Sequence, residues 1–310
     1  MKTLKPIKII DAHAHVVQCI AGFTSRGELR AAGSGMARYA DGTAFKMIPD
    51  GMGETCVTPE SLLSVMDENG VEKAVLLQGQ FFGFQNEYTA DAVKKYPSRF
   101  VGAGSYDPFC VNVEAVKRRL FDELGFKIVK FELSNGSGLM AYHPPVQVDG
   151  EVMYKEFAYA ADKGLTVTVD VGRPRNVCWQ IDALARAVRD FPQVNFVICH
   201  LLAPQREDNA LLGEALSKLV RQNVWFDISA LAANQKPEVY PYPSAVKHLL
   251  TAKKTVGADR LMFGSDMPGC LCRDSYENLV NYITESGLFD DVELEKVFYS
   301  TALKVYFKQP

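Results

Sequence analysis

The chain carries no strong excess of either charge: 34 Lys and Arg stand against 37 Asp and Glu, a formal net charge of −3. That balance offers no electrostatic basis for gripping nucleic acid or an anionic membrane surface. No apolar run reaches membrane-spanning length; the longest are the length of a strand. Residues 1–6 lead straight into the first apolar segment without a signal-peptide core, so no leader is expected there. Cysteine is sparse and odd in number, seven residues whose spacing suggests no disulfide framework. Reduced thiols in a cytoplasmic protein are the natural expectation. Cys270-Leu271-Cys272 places one residue between its thiols, not the two of zinc and redox motifs, and no second pair follows; it reads as incidental. No Gly-x-Gly-x-x-Gly follows any candidate strand, which argues against a doubly wound, dinucleotide-binding sheet.

What is present is a regular alternation. The 47% hydrophobic and 23% charged composition is that of an ordinary globule. Eight short apolar or β-branched runs recur at 7–13, 73–78, 100–106, 126–133, 165–171, 195–200, 224–229 and 261–265. Most gaps between them hold amphipathic helical patterns, at 59–69, 112–124, 151–163, 179–190, 210–222, 244–256 and 276–286. Gly70, Gly125, Gly164 and Gly257 stand where helices should stop. Strand and helix alternating eight times predicts a (β/α)8 barrel, a single α/β domain over 1–310. Two stretches break the rhythm, 19–57 after the first strand and 134–148 after the fourth. Both follow strands, so both belong to the C-terminal face, where barrel enzymes keep their active sites. The first reads as a lid-like loop, or else as a disordered or oligomer-forming insert.

His13-Ala14-His15 closes the first apolar run. Residues two apart in a strand share a face. Two of the five histidines therefore aim at one spot, which suits a divalent metal. Other strand ends supply Lys130 and Glu132, Asp170, His200, Asp227 and Ser229, and Asp266. A lone Asp in such a place is often a helix N-cap, and Asp266-Met267-Pro268 allows that reading. The joint arrival of three histidines and Asp266 at one barrel mouth argues for an active site. Arg173 and Arg175, just beyond Asp170, are candidate carboxylate anchors together with Lys130 and the arginines of 19–57. Tyr106, after the third strand, and Phe81 to Phe84, after the second, are candidates to stack on a flat substrate.

The pieces 10–15, 125–127 with Lys130, Cys199-His200-Leu201 and 260–268, with the closing segment 298–307, resemble the amidohydrolase superfamily over nearly the whole chain. Within it they resemble the amidohydrolase-2 branch of TIM-barrel hydrolases, lactonases and decarboxylases. The resemblance implies that His13 and His15 are metal ligands and that Asp266 ligates metal or takes a proton from water. It implies that His200 is catalytic. Members of the branch carry a His at the end of strand five, where this chain has Asp170. Asp170 can ligate zinc or manganese, or instead bind substrate or serve structure. Three functions follow as expectations. One is a metal-dependent hydrolase opening a lactone or cleaving an amide of a small carboxylated or aromatic substrate, with one Zn or Mn ion. The others are a non-oxidative decarboxylase and a metal-free lactonase using the same residues. A small anionic substrate, no nucleic acid, no membrane, and a possible homo-oligomer complete the expectation.

Overall fold

The computed structural model describes residues 7–307. The expectation about residues 1–6 therefore falls outside the described residues. Strand β1 (Ile9–Ala14) is followed by a small meander of β2 (Ala21–Thr24), β3 (Gly27–Gly33), β4 (Met36–Tyr39) and β5 (Ala44–Lys46). Next come α1 (Pro59–Glu68), β6 (Val71–Leu76), α2 (Asn86–Lys95), β7 (Phe100–Gly104), α3 (Val113–Lys117) and β8 (Ile128–Glu132). The chain continues through α4 (Glu151–Lys163), β9 (Thr166–Asp170), α5 (Ile181–Asp190), β10 (Asn195–Ile198), α6 (Asn209–Leu219) and β11 (Val224–Asp227). It closes with α7 (Pro243–Val256), β12 (Leu261–Met262), α8 (Tyr276–Thr284) and α9 (Asp291–Glu295).

β1 and β6 to β12 form one eight-stranded parallel sheet in chain order. Three hydrogen bonds bring its edges together: Ala12 N donates to Phe263 O at 2.9 Å, Asp266 N to His13 O at 2.8 Å, and His15 N to Met267 O at 3.0 Å. The result is a nearly closed (β/α)8 barrel. All eight expected strands are present, and the helix expected at 151–163 is observed as α4. Gly164 ends α4 in the left-handed region at φ 64°, a conformation that costs glycine nothing. The core has two shells. One lies between sheet and helices, and the other fills the barrel with Ile10, Val75, Ile128, Val197, Trp225 and Met262. Ala302, Val305 and Tyr306 close the inner shell, and the Tyr306 hydroxyl lies 3.1 Å from Thr168 Oγ1.

Strand alternation positions the polar mouth. Ile128, Lys130 and Glu132 share the inward face of β8, and Thr166, Thr168 and Asp170 that of β9, with Glu132 opposite Asp170 in register. The same parity governs Tyr106. Ala103 faces the barrel interior, so Tyr106, an odd number of residues on, faces the helices. Its hydroxyl bonds Glu156 of α4. The expectation that Tyr106 contacts substrate is therefore corrected: it is a core residue. β1 departs from strict alternation. Ile10 and Ala12 point inward, yet so does His13, because a register shift between Asp11 and Ala14 turns the strand.

The 19–57 stretch folds on itself as the antiparallel sheet β2-β3-β4-β5. No helix among the described residues is long and apolar enough to cross a membrane. All seven cysteines are unpaired thiols.

Candidate active site

A cavity of about 500 Å³ opens at the C-terminal ends of the barrel strands. His13, His15, Lys130, Asp170, Arg173, His200 and Asp266 all line it. Its floor is buried and polar. His13 Nδ1 lies 2.9 Å from Asp227 Oδ2, and neither side chain is exposed at all. Asp227 Oδ1 accepts from the backbone N of His200 at 3.1 Å, from Ser229 N at 3.1 Å and from the Ser229 hydroxyl. Burial alone would raise the Asp227 carboxyl, but the His13 and His200 rings and Ser229 outweigh it and hold it well below the usual range. A carboxylate can only accept, so the His13 Nδ1 carries the proton and donates it. Burial and the neighbouring Lys130 charge push the His13 imidazole down to about 3, so it is neutral and its Nε2 lone pair faces the cavity. Lys130 Nζ stands 3.2 Å from that Nε2. Burial opposes charge on Lys130, but Cys199, Glu132, Asp170 and Asp266 around it outweigh burial and raise the amine. Lys130 is therefore an ammonium donating to His13.

Ser229 fixes the second histidine. Its single hydroxyl proton goes to Asp227, so it accepts from His200 Nδ1 at 2.9 Å. His200 Nε2 is left for the cavity, 3.8 Å from Asp170 Oδ2. Burial would lower His200, but Asp266, Asp170 and Asp227 outweigh it and raise the ring, favouring its protonated form. His200, Leu201, Leu202 and Ala203 run consecutively through the left-handed region, at φ 55°, 49°, 66° and 48°. Each costs an L residue on the order of 1–2 kcal/mol. The Asp227 and Ser229 hydrogen bonds hold His200 in that turn, and Ala203 N closes it on His200 O at 2.8 Å.

Asp266, also left-handed at φ 57°, receives His15 Nε2 at 3.0 Å and the Cys270 thiol at 3.6 Å. Burial pushes its carboxyl up, but the His15 hydrogen bond and the nearby His200 and His13 rings bring it well below the ordinary range. Its side chain remains 26% exposed, against 0% for His13, so the carboxylate meets the cavity. Asp266 accepts the proton of His15 and does not cap a helix with its side chain. Gly264 makes this packing possible. A Cβ there would come within 2.9 Å of His13 Cβ and 3.0 Å of Ser229 Cβ.

His13, His15 and Asp266 form a group whose donor atoms are close enough to share a metal ion. Two neutral imidazoles and one carboxylate are a fitting donor set for a divalent ion, and Asp227 behind His13 is the outer carboxylate that orients such a ligand. His15 Nδ1 is buried and has no hydrogen-bond partner among the described residues, so the ring can carry its proton there when Nε2 turns to an ion. The expected fourth member, Asp170, stands apart from the group. Its Oδ1 accepts from Gly172 N at 2.7 Å, and its Oδ2 faces His200.

The rim carries the remaining cations. Arg173 and Arg273 line the cavity without an ion partner among the described residues, whereas Arg175 is committed to Asp208. Phe45, Lys46 and Met47 of the meander, with Phe81 and Phe82, form one wall. The arginines of the meander do not line the cavity; Arg26 pairs with Asp41 and covers Tyr39. Glu132 is held by Ser134 and Ser137, and burial with the facing Asp170 raises its carboxyl. Arg273 and Asn234 lie on turns beyond β12 and β11, where no apolar pattern marks them.

The sequence model of the amidohydrolase family matches residues 10–308. No curated protein sequence matches the chain significantly. Among solved structures, a probable 2-pyrone-4,6-dicarboxylic acid hydrolase from Acinetobacter baumannii, with citric acid bound, superposes with a TM-score of 0.71 at 20% identity, covering 97% of this chain and 100% of that one. An amidohydrolase from Burkholderia multivorans with bound zinc gives 0.69 at 18% identity over 97% and 99% of the two chains. A dihydroxybenzoic acid decarboxylase from Polaromonas sp. JS666, with manganese and 2-nitroresorcinol, gives 0.56 at 14% identity over 80% and 85%.

Proposed function

Because the chain belongs to the amidohydrolase family, we propose that it is a hydrolase that opens a cyclic ester, or cleaves an amide, of a small carboxylate-bearing substrate. The observation that carries this reading is the state of Asp266. Its carboxyl is held ionised, gripped on one oxygen by His15 and open to the cavity. An ionised carboxylate in that place takes a proton from an attacking water. In that state Asp266 itself cannot be the acid that protonates a carbanion after CO2 loss.

The other roles follow from charge and position. His200 presents Nε2 to the cavity and is biased toward its protonated form, so it hydrogen-bonds the developing oxyanion or protonates the leaving oxygen. The Lys130 ammonium at the floor adds a second positive group to the same oxyanion. Arg173 and Arg273 hold the substrate carboxylate at the rim. A divalent ion held by His13, His15 and Asp266 would take the place of the Lys130 ammonium there and supply Lewis acidity toward the carbonyl. The neighbour described as a 2-pyrone-4,6-dicarboxylic acid hydrolase points toward the same substrate class. The test is a panel of lactones, amides and aromatic or muconate-type acids, turned over in H2(18)O and read by mass spectrometry. One labelled oxygen in a ring-opened or cleaved product is expected. CO2 release with no water oxygen in the product would overturn the reading in favour of a decarboxylase.

A further inference from the structure

We propose that Lys130 is a built-in cation that occupies the position of a divalent ion on His13, so that metal and ammonium exclude one another. A single lone pair is at stake. Asp227 holds His13 Nδ1 at 2.9 Å, so any ion that His13 ligates must bind Nε2. That lone pair is already directed at Lys130 Nζ, 3.2 Å away. A metal ion on an imidazole nitrogen sits at about 2.0–2.1 Å. An ion on the same lone pair would lie between His13 and the ammonium, far inside the contact distance of two cations.

The surroundings match a cation that belongs to the site. Lys130 is 5% exposed and inward-facing on β8. Arg173 and Arg273, by contrast, are exposed at the rim, and Lys46 there is paired with Asp50. Asp266 is near the same nitrogen, its Oδ1 3.8 Å from His13 Nε2. The His13, His15 and Asp266 group thus has a positive partner without any ion. Glu132, on the same face of β8, and Asp170, opposite it on β9, offer the ammonium a second berth when an ion takes the first. Metal affinity alone is at issue, independent of the reaction proposed above, so absence of lactone turnover would leave the exclusion untouched.

Calorimetric titration of chelator-treated protein with Zn2+, and separately with Mn2+, tests it. Lys130→Met keeps the length of the side chain and removes the charge, and Lys130→Gln keeps a polar end. Both variants should bind one Zn2+ at least tenfold more tightly than the wild type. The Lys130→Met, His13→Ala double variant should lose that gain, which places the ion on His13. Zn2+ should also raise the melting temperature of Lys130→Met while leaving that of the wild type unchanged at the same concentration. Equal affinity in wild type and both variants overturns the proposal. Should neither variant fold, the wild type carries the test. Purified without a polyhistidine tag, it should lose added Zn2+ on gel filtration, and retention of one equivalent would overturn the proposal.

Discussion

Asp266 and Gly264 show how much of the site hangs on single side chains. Asp266→Asn keeps the shape and removes the proton acceptor. It should lower kcat by about 10²–10⁴-fold with little change in KM, measured by steady-state kinetics on the substrate that the panel identifies. A wild-type rate in the Asp266→Asn variant would remove Asp266 from the chemistry. Gly264→Ala tests packing instead. The added methyl meets His13 Cβ and Ser229 Cβ at 2.9 and 3.0 Å, and both belong to a rigid hydrogen-bonded floor. It should destabilise the fold by about 1–3 kcal/mol in urea titrations, and it should impair turnover by moving His13. A melting curve and rate equal to the wild type would show that the floor yields.

Among the elements, the left-handed turn at 200–203 and the register shift in β1 do the aiming, and neither is written in an apolar pattern. The eight barrel strands are legible because each is a short apolar run flanked by turn residues, as in Phe196-Val197-Ile198. The inward placement of Lys130, Glu132 and Asp170 follows from alternation alone. For His13 and His15 the shared face came out as expected, although Ile10 and Ala12 also point inward and only the bulge reconciles the two. Alternation also places Tyr106 on the helix side once Ala103 is known to face inward. Helix α2 escaped because it is amphipathic in a weak sense, burying only Thr89 and Ala92. The meander escaped because its strands are short and largely exposed, so burial leaves little hydrophobic signature in them. Thr58 before Pro59 accepts from Ser61 N at 3.1 Å and starts α1. Thr58→Ala should cost about 1 kcal/mol in equilibrium unfolding, with no effect on catalysis. If the meander works as a lid, Phe45→Ala should raise KM more than it lowers kcat.

For the molecule as a whole, the two core shells set stability and its pH dependence. His248 on α7 is fully buried, and neither ring nitrogen has a partner among the described residues. Burial lowers it to about 4, against an ordinary value of 6.5. Between those values the unfolded chain binds the extra proton, so stability is fully present above pH 6.5 and falls as pH drops toward 4. The loss is on the order of 3 kcal/mol from this group. Urea midpoints at pH 7 and pH 4.5 should diverge less in His248→Leu than in the wild type; identical divergence would refute the assignment. At the barrel floor, Tyr306→Ala should cost roughly 3–5 kcal/mol, since the ring closes the inner shell and bonds Thr168. The pairing of His15 with Asp266 has a further consequence for biosynthesis. The two residues lie 251 positions apart, and β12 closes against β1. A ribosome extends the chain from the N-terminus, so His15 waits for about 250 residues of synthesis before Asp266 emerges. A nascent chain arrested ahead of the eighth barrel strand can hold His13 through Asp227 but leaves His15 without Asp266, and active protein arises only once that strand has been made.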